Sequence, residues 1–206
     1  MFDKNLLKGK KILVTGGGSG LGKEMSRHFL TYGAEVIICG RRDEVLQKTA
    51  TELADETKGN ISAHSLDIRD SLAIEETINN IFDEGPLDGL VNNAAGNFIS
   101  RTNDLSPNGF NAIASIVFHG TFNMTNTVGK KWIELNKPGT ILSITTTWVW
   151  TGSPFVVPSA MSKSGINAMT KSLAVEWGPH NIRLNCIAPG PFPTEGAWAR
   201  LMPQTG

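Results

Sequence analysis

A run of eight residues near the amino terminus has the composition of a phosphate-binding turn. Residues 15–22 read TGGGSGLG and directly follow the apolar run KILVT. Glycines let a backbone turn tightly and approach a pyrophosphate, while the first turn of the next helix offers free amide groups to the anion. The spacing is GxxxGxG rather than GxGxxG. A plain strand–helix turn is therefore the alternative interpretation.

Two arginines after the second apolar run bear on which dinucleotide such a turn would bind. In folds that bind NAD, an acidic residue at the end of the second strand binds the ribose hydroxyl groups. Residues 39–42 read CGRR instead, and the first carboxylate is Asp43. Guanidinium groups bind a 2′-phosphate through charge-assisted hydrogen bonds. Arg41 therefore predicts NADP(H), whereas a solvated helix start also explains Arg42.

The elements that must position these residues alternate along the chain as short apolar runs and longer amphipathic ones. The strands predicted are 11–15, 35–39, 61–67, 89–95, 140–146 and 183–188. Helices are predicted over 20–32, over about 45–53, over about 72–82, from Ser106-Pro107 to about Leu135, and from Pro158-Ser159 to Gly178-Pro179. The pattern predicts an α/β fold: a Rossmann-type, doubly wound parallel sheet in three α/β/α layers with strand order 3-2-1-4-5-6. A ligand site is then expected at the carboxyl ends of the strands.

Composition excludes several classes of function. The 206 residues and 22.2 kDa predict a single domain over 1–206. Nineteen basic and nineteen acidic residues give zero formal charge, so no nucleic-acid partner is expected. No apolar run reaches the length of a membrane span, and the start lacks an apolar targeting segment. We therefore expect no membrane association and a cytoplasmic location, or a mitochondrial or peroxisomal one if the chain is eukaryotic and partial.

Cysteine, histidine and tyrosine counts narrow the chemistry further. Two cysteines, Cys39 and Cys186, form no CxxC pair and indicate a reducing compartment. The four histidines have no metal-ligand spacing, and no metal is predicted. Tyr32 is the single tyrosine of the chain. A mechanism that needs a second tyrosine is therefore excluded.

Taken together, these motifs resemble the short-chain dehydrogenase/reductase family. The resemblance is carried by TGGGSGLG (15–22), LDI (66–68), NNAAG (92–96), Lys163 followed by Ser-Gly, and NCIAPGPFPT (185–194). Further segments are similar to one branch, the NADPH-dependent 2,4-dienoyl-CoA reductases: NNAAGNFIS (92–100), LSPNGF (105–110), SITTT (143–147), TGSPFVVPSAMSKSG (151–165) and GAWARL (196–201). The resemblance spans nearly the whole chain.

The resemblance implies a role for each matching residue. The pyrophosphate would lie on the turn formed by Gly16, Gly17, Gly18, Ser19, Gly20 and Leu21. The adenosine end would contact Arg41, Asp67, Ile68, Asn93 and Ala94. The nicotinamide end would contact Lys163, Pro189, Gly190, Pro191, Phe192 and Thr194. An acyl-CoA substrate would contact Arg69, Phe98, Ser106 and Arg200.

The catalytic tyrosine of the family has no counterpart here. Most members use Tyr-x-x-x-Lys on one helix, where the ammonium lowers the pKa of the phenol. Ser159 stands four residues before Lys163, as in the dienoyl-CoA reductase branch, which brings its tyrosine from the loop after strand 5. That position is Trp148, whose indole N–H donates a hydrogen bond but cannot relay a proton. The branch's second donor maps to Asn97, which is present.

Several of these residues have simpler interpretations. Ser159 is also predicted as the N-cap of its helix, and both roles can hold at once. Thr146 lies where much of the family has a catalytic serine, but it is an ordinary strand residue too. His119, near the position of the family's assisting asparagine, is interpreted as a packed or capping histidine. Trp148 and Trp150 could line the path of an acyl chain.

The leading hypothesis is NADPH-dependent reduction of 2,4-dienoyl-CoA thioesters, an auxiliary step of fatty acid β-oxidation. Asn97 and Trp148 would face the thioester oxygen, Lys163 would orient the cofactor, and Ser159 would hold water or substrate. The alternatives are a short-chain oxidoreductase acting on a carbonyl or alcohol, and a catalytically silent NADP-binding protein. The resemblance also implies a homo-oligomer, dimer or tetramer, and a further helix and strand after Gly206.

Overall fold

Six parallel strands form the centre of the molecule. A computed structural model describes residues 2–190 and Phe192. The strands are β1 (Lys11–Thr15), β2 (Glu35–Gly40), β3 (Ile61–Ser65), β4 (Gly89–Asn92), β5 (Gly139–Ile144) and β6 (Ile182–Ile187). They form one sheet in the order β3-β2-β1-β4-β5-β6, and every neighbouring pair is parallel. The predicted fold class and strand order are confirmed.

Helices cover both faces of the sheet. The α-helices are α1 (Gly20–Thr31), α2 (Asp43–Thr57), α3 (Ser71–Asp83), α4 (Pro107–Ala114), α5 (Thr121–Glu134), α6 (Trp148–Thr151) and α7 (Val157–Glu176). Apolar residues of α1 and α2 pack on one face of the sheet, and those of α3 and α5 pack on the other. A smaller cluster that includes Ile166 of α7 packs against Cys186 of β6. Since strand side chains alternate between the two faces, nearly continuous apolar strands are what this arrangement requires.

Strand register brings the carboxyl ends of the strands to one edge. Thr15 of β1 pairs with Cys39 of β2, and Asn92 at the end of β4 pairs with Ser143 of β5. The loops that follow the strands therefore lie side by side along this edge. These loops carry most of the residues predicted to bind the cofactor and substrate.

The long helix predicted over 106–135 is present, with an irregular centre. Ser106 caps it, because its Oγ accepts the amide hydrogen of Gly109 at 3.1 Å. A π-helical segment, Ser115–Gly120, separates α4 from α5. Its last residue packs on Ile68, since a Cβ on Gly120 would lie 2.7 Å from the side chain of Ile68. The π segment therefore packs closely against the residue that follows β3 by three positions.

The prediction that Ser159 is a helix N-cap is wrong. Helix α7 begins at Val157, Val156 occupies the N-cap position, and Pro158 lies in the first turn. Ser159 is therefore inside the helix, and its side chain is buried. The physical reason is that proline fits the first turn of a helix, where its missing N–H costs nothing, so the helix starts before the proline rather than after it.

Three strands end two or three residues earlier than predicted, and several short elements were not predicted. Strands β3, β4 and β5 stop at Ser65, Asn92 and Ile144, where their backbones turn into the site loops. The single turn α6 and a 3₁₀ turn at Thr102–Asp104 lie within those loops. In the described part of the chain, no helix has the length and hydropathy needed to cross a membrane.

Candidate active site

The glycine-rich turn between β1 and α1 is held in place by its neighbour β4. Oγ1 of Thr15 accepts hydrogen bonds from the backbone amides of Asn93 and Ala94, both at 3.0 Å. In return, Nδ2 of Asn93 donates to the carbonyl oxygens of Thr15 at 3.0 Å and of Gly16 at 3.3 Å. Asn93 was expected beside the adenosine ribose, and the structure shows that its side chain fixes the turn itself.

Several positions of this turn require glycine, and two of them show the reason clearly. Gly16 has φ +67°, a left-handed conformation that disfavours other residues. A Cβ on Gly22 would lie 2.3 Å from the carbonyl oxygen of Gly16, so the helix and the turn approach each other too closely for a side chain. These contacts give the spacing GxxxGxG a steric reason in this chain.

The amino terminus of α1 has the features of an anion site. Ser19, its N-cap, makes no side-chain capping hydrogen bond, and the first turn of α1 contains no acidic residue. The amides of the first turn, at Gly20 and Leu21, are therefore available to a ligand with negative charge. A pyrophosphate fits this arrangement of glycines, open backbone donors and helix dipole.

Charged residues alternate along the carboxyl ends of β2 and β3. Arg41 follows β2 and is exposed, whereas Arg42 is the N-cap of α2. Asp67 follows β3, and hydrogen bonds from Arg69 hold the pKa of its carboxyl below the ordinary value, with a smaller contribution from Arg41. The side chain of Ile68 is buried in the core.

Lys163 is the most deeply buried charged group described. Its side chain lies under the carboxyl end of β5, where Nζ donates a hydrogen bond to the carbonyl oxygen of Ile144. Burial lowers the pKa of Lys163 from 10.5 to about 8, and the neighbouring Cys186 opposes part of this shift. Ser159 is one helical turn earlier on the same face of α7 and is equally buried. The structure therefore brings these two predicted residues together.

Asn97 and Trp148 lie on the loops that follow β4 and β5. Oδ1 of Asn97 accepts the backbone amide hydrogen of Phe98 at 3.0 Å, which leaves the side-chain NH₂ group to donate elsewhere. Trp148 is half-buried at the start of α6, and its backbone amide donates to Oγ1 of Thr146 at 3.2 Å. Thr146 thus supports the turn that carries Trp148.

The residues predicted to bind substrate lie along the same edge. Phe98 is partly exposed and close to Gly109 of α4, and Ser106 caps α4 as described. The loop of Phe98 is tied to the loop before α7, because the amide of Ser100 donates to the carbonyl oxygen of Phe155 at 2.9 Å. Phe155 has φ +65°, an unusual conformation for an aromatic residue.

The remaining predicted residues follow β6. Pro189 and Gly190 lie in the segment after the strand, separated from it by Ala188, and Phe192 is exposed. Pro191, Thr194 and Arg200 lie outside the described residues. Among the described residues, no group of three or more His, Cys, Asp or Glu side chains is placed to bind a metal ion.

A family model described as short chain dehydrogenase matches residues 10–203. The chain belongs to this family. The match spans the whole described site, from the glycine-rich turn to the loop after β6.

Relatives of the short-chain dehydrogenase family agree with the branch that the motifs indicated. A Caenorhabditis elegans protein named "Probable 2,4-dienoyl-CoA reductase 3" is 47% identical over 198 residues, which are 95% of this chain and 64% of that protein. An uncharacterized oxidoreductase of the same organism is 47% identical over 199 residues, 95% of this chain and 63% of the relative. The chain thus spans somewhat less than two thirds of the length of these relatives.

A solved structure shows the same architecture. A short chain dehydrogenase from Bacillus anthracis, determined at 1.99 Å, is 44% identical and superposes with a TM-score of 0.86. The superposition covers 90% of this chain and 75% of that one. The fold of the family therefore applies to this chain.

The single tyrosine of the chain lies at the end of α1. Tyr32 has its ring 6.0 Å from that of Phe2, and Ser159 is the residue four positions before Lys163 on α7. Sequence reasoning missed the anchoring role of Thr15. A polar residue at the end of an otherwise apolar strand was the signal available for it.

Proposed function

We propose that the chain is an NADPH-dependent reductase of 2,4-dienoyl-CoA thioesters. The observation that carries the proposal is a buried serine, Ser159, one turn from the buried Lys163. Reduction of a simple carbonyl needs a proton on the new alkoxide, and a serine hydroxyl is too weak an acid to supply it at neutral pH. Reduction of a conjugated thioester delays protonation, because the charge is first spread over a dienolate. The name of the relative described above supports the same substrate class.

The residues of the dinucleotide site fit NADP(H). The turn at Gly16–Gly22 and the first turn of α1 would hold the pyrophosphate, and Arg41 would bind the 2′-phosphate in place of the carboxylate that NAD-specific folds use. Lys163 would bind the nicotinamide ribose through its ammonium group. When bound, the reduced cofactor supplies the hydride.

The chain's own residues stabilise the charge that this addition creates. A hydride supplied to the far carbon of the diene would move an electron pair to the thioester oxygen. The NH₂ group of Asn97 and the indole N–H of Trp148 are the donors assigned to that oxygen. Neither group gives up its proton, so water held by the hydroxyl of Ser159 protonates the carbon and becomes hydroxide. The reaction consumes one hydride and one proton for each double bond removed.

Turnover tests the proposal directly. The oxidation of NADPH is followed by its absorbance in the presence of a trans,trans-2,4-dienoyl-CoA, with the Lys163→Ala variant as the control. We expect consumption of NADPH that depends on the dienoyl-CoA and is lost in the variant. Faster turnover of a simple ketone or aldehyde than of the dienoyl-CoA would contradict the proposed substrate.

One observation favours a second candidate, a dinucleotide-binding protein without turnover. Trp148 stands where the dienoyl-CoA reductase branch has its loop tyrosine, and its ring is larger than a phenol. Under this alternative NADPH binds but is not oxidised, and Trp148→Tyr restores turnover. Turnover by the unmodified chain would rule this candidate out.

We also propose that the chain forms a homo-oligomer through α5 and α7. Three large apolar side chains on this face expose 40–57% of their surface. They are Phe118 of the π segment, Phe122 of α5 and Met161 of α7. Phe118 packs across to α7, where a Cβ on Gly165 would lie 2.5 Å from its ring. Sedimentation of the chain and of a Phe122→Glu variant tests this, with a shift toward monomer expected for the variant.

A further inference from the structure

Ser159 and Lys163 form a buried pair that the proposed reductase reaction uses only in part. The two residues expose 4% and 5% of their surface. They stand four positions apart on α7, so their side chains share one face of the helix. Long side chains on a helix point back toward its amino terminus. The side chain of Lys163 therefore runs over the turn that carries Ser159.

The hydroxyl group of Ser159 is not engaged by the helix. Buried serine and threonine side chains inside a helix can donate to the carbonyl oxygen four residues earlier. On α7, Ser162 donates in this way to Pro158 at 2.7 Å, and Thr170 donates to Ile166 at 2.9 Å. Ser159 makes no such bond, and its Oγ has no hydrogen-bond partner among the residues that the structure describes. Its hydroxyl is therefore available to react.

Lys163 has the properties of a general base. Burial lowers its pKa to about 8, so about a tenth of the molecules carry the neutral amine at pH 7. Among the described residues, Cys186 of β6 is the one other titratable group that affects this pKa. The carbonyl oxygen of Ile144 accepts a hydrogen from Nζ and fixes the direction of the side chain. A nucleophile beside a base that a third group orients is typical of enzymes that form acyl intermediates.

The loop after β4 supplies a donor for the oxyanion of such a reaction. Oδ1 of Asn97 accepts the amide hydrogen of Phe98, so the NH₂ group of Asn97 remains for another acceptor. The amide of Ser100 donates to the carbonyl oxygen of Phe155 at 2.9 Å, which joins this loop to the segment just before Ser159. Nucleophile, base and oxyanion donor therefore come from segments that are held together.

We propose that Ser159 and Lys163 also hydrolyse acyl thioesters when no dinucleotide is bound, with Ser159 as nucleophile and Lys163 as general base. Oγ of Ser159 attacks the thioester carbon while Nζ of Lys163 takes its proton. The C–S bond breaks, and the proton passes from Nζ to the leaving sulfur, so a free thiol and an acyl ester of Ser159 remain. Water then gives a proton to Nζ and attacks this ester, and the proton returns to Oγ. The net reaction converts thioester and water into carboxylic acid and thiol.

A bound dinucleotide should suppress the hydrolysis. Under the proposed function, the ammonium group of Lys163 binds the nicotinamide ribose, and an amine held in its charged form cannot accept a proton. The thioester substrate and the competition with NADPH both rest on the proposed function. One site would thus reduce a dienoyl thioester with NADPH and hydrolyse thioesters without it.

A saturated acyl-CoA separates hydrolysis from reduction, because it has no double bond to reduce. Loss of the thioester absorbance of hexanoyl-CoA is followed with the full chain, without and with saturating NADPH. We expect hydrolysis without NADPH and a rate at least about tenfold lower with it. The rate without NADPH should rise with pH and reach half its maximum near pH 8, as Lys163 loses its proton. Mass spectrometry after an acid quench should find the hexanoyl group on Ser159.

Variants of the pair distinguish catalysis from a structural role. Ser159→Ala and Lys163→Met should each lower the rate about 10²-fold or more. The double variant should be no slower than either single variant, because both residues act in the same step. Ser162→Ala is the matched control, since Ser162 is equally buried on α7 but already donates to Pro158, and it should keep the full rate. Ser159→Ala should still bind NADPH, which shows that its site is folded.

A second substrate, p-nitrophenyl acetate, does not depend on the assignment of a CoA thioester. Acetylation of Ser159 by this ester would support the pair even where a dienoyl-CoA is not reduced. Reduction of the dienoyl-CoA without acylation of Ser159 by either substrate would overturn the hydrolysis and leave the proposed function intact. Acyl groups on Cys186 or on Nζ of Lys163 instead of Ser159, or hydrolysis that survives in both single variants, would also overturn it.

Discussion

Replacement of Lys163 by methionine should stabilise the fold while it destroys the dinucleotide site. Burial lowers the pKa of this lysine from 10.5 to about 8. A pKa difference of this size means that the buried ammonium group lowers the free energy of unfolding by about 3 kcal/mol at neutral pH. Methionine fills a similar volume but leaves the carbonyl oxygen of Ile144 without its donor, which costs about 1–2 kcal/mol. The net expectation is a gain of about 1–2 kcal/mol, or about 2–8 °C in Tm.

The gain should depend on pH with a defined sign. Between about pH 8 and 10.5 the unfolded chain holds a proton on Lys163 that the folded chain has lost. The free energy of unfolding of the unmodified chain therefore rises with pH through this window. Below pH 8 the full cost of burying the charged lysine is present. The difference between the variant and the unmodified chain should shrink from pH 7 toward pH 10.5.

Urea unfolding without cofactor, followed by circular dichroism at pH 7 and pH 10, measures the difference. Lys171→Met is the matched control, since Lys171 lies on the same helix but is exposed. It should change the free energy of unfolding by less than about 0.5 kcal/mol at either pH. Loss of stability in Lys163→Met at pH 7, or a gain that does not decline with pH, would refute the account of Lys163 as a buried and costly cation.

Three further outcomes follow from the turn and from the cysteines. Gly22→Ala should lower the free energy of unfolding by about 2–4 kcal/mol and abolish NADPH binding, because its Cβ would lie 2.3 Å from the carbonyl oxygen of Gly16. Thr15→Val should cost about 1–3 kcal/mol in urea unfolding, because two amides lose their acceptor, and Thr15→Ser should restore it. Burial raises the pKa of the Cys39 thiol to about 12, so mass spectrometry after brief alkylation of the native chain should find the label on Cys186 alone.

Each of these outcomes has a result that would contradict it. Gly178→Ala, at an open position, is the control for Gly22→Ala, and equal losses in both would deny that the close approach of turn and helix matters. Equal stability of Thr15→Val and the unmodified chain would deny that the hydroxyl group holds the two amides. Rapid alkylation of Cys39 in the native chain would show that its strand opens without unfolding.

The sheet could be predicted because its signals are local. Every strand is a short apolar run, and every predicted crossover contains a helical pattern, so the order of strands follows from the rules of parallel sheets. The glycine turn and Arg41 could be placed for the same reason, since each directly follows an apolar run, whereas Lys163 was identified only through the resemblance to the family.

What the sequence pattern did not reveal depends on contacts between distant segments. The π segment at Ser115–Gly120 exists where Gly120 meets Ile68, some fifty residues earlier in the chain. Ser159 was taken for a cap because serine often is one, but its burial beside Lys163 is decided by β5. The ion pair of Asp67 and Arg69 forms in the loop after β3, and hydrophobic periodicity does not predict the conformation of a loop.

The order of strands also determines how the chain is completed during synthesis. Central strand β1 pairs with β2 on one side and with β4 on the other, and β4 begins about 70 residues after β1 ends. At about 5–20 residues per second, a ribosome needs about 4–15 s to make that stretch. Throughout this time β1 presents one unpaired row of amide and carbonyl groups to other nascent chains. The nascent chain with its first three strands is therefore prone to aggregate. This risk falls once Gly89–Asn92 has been synthesised and can pair with β1.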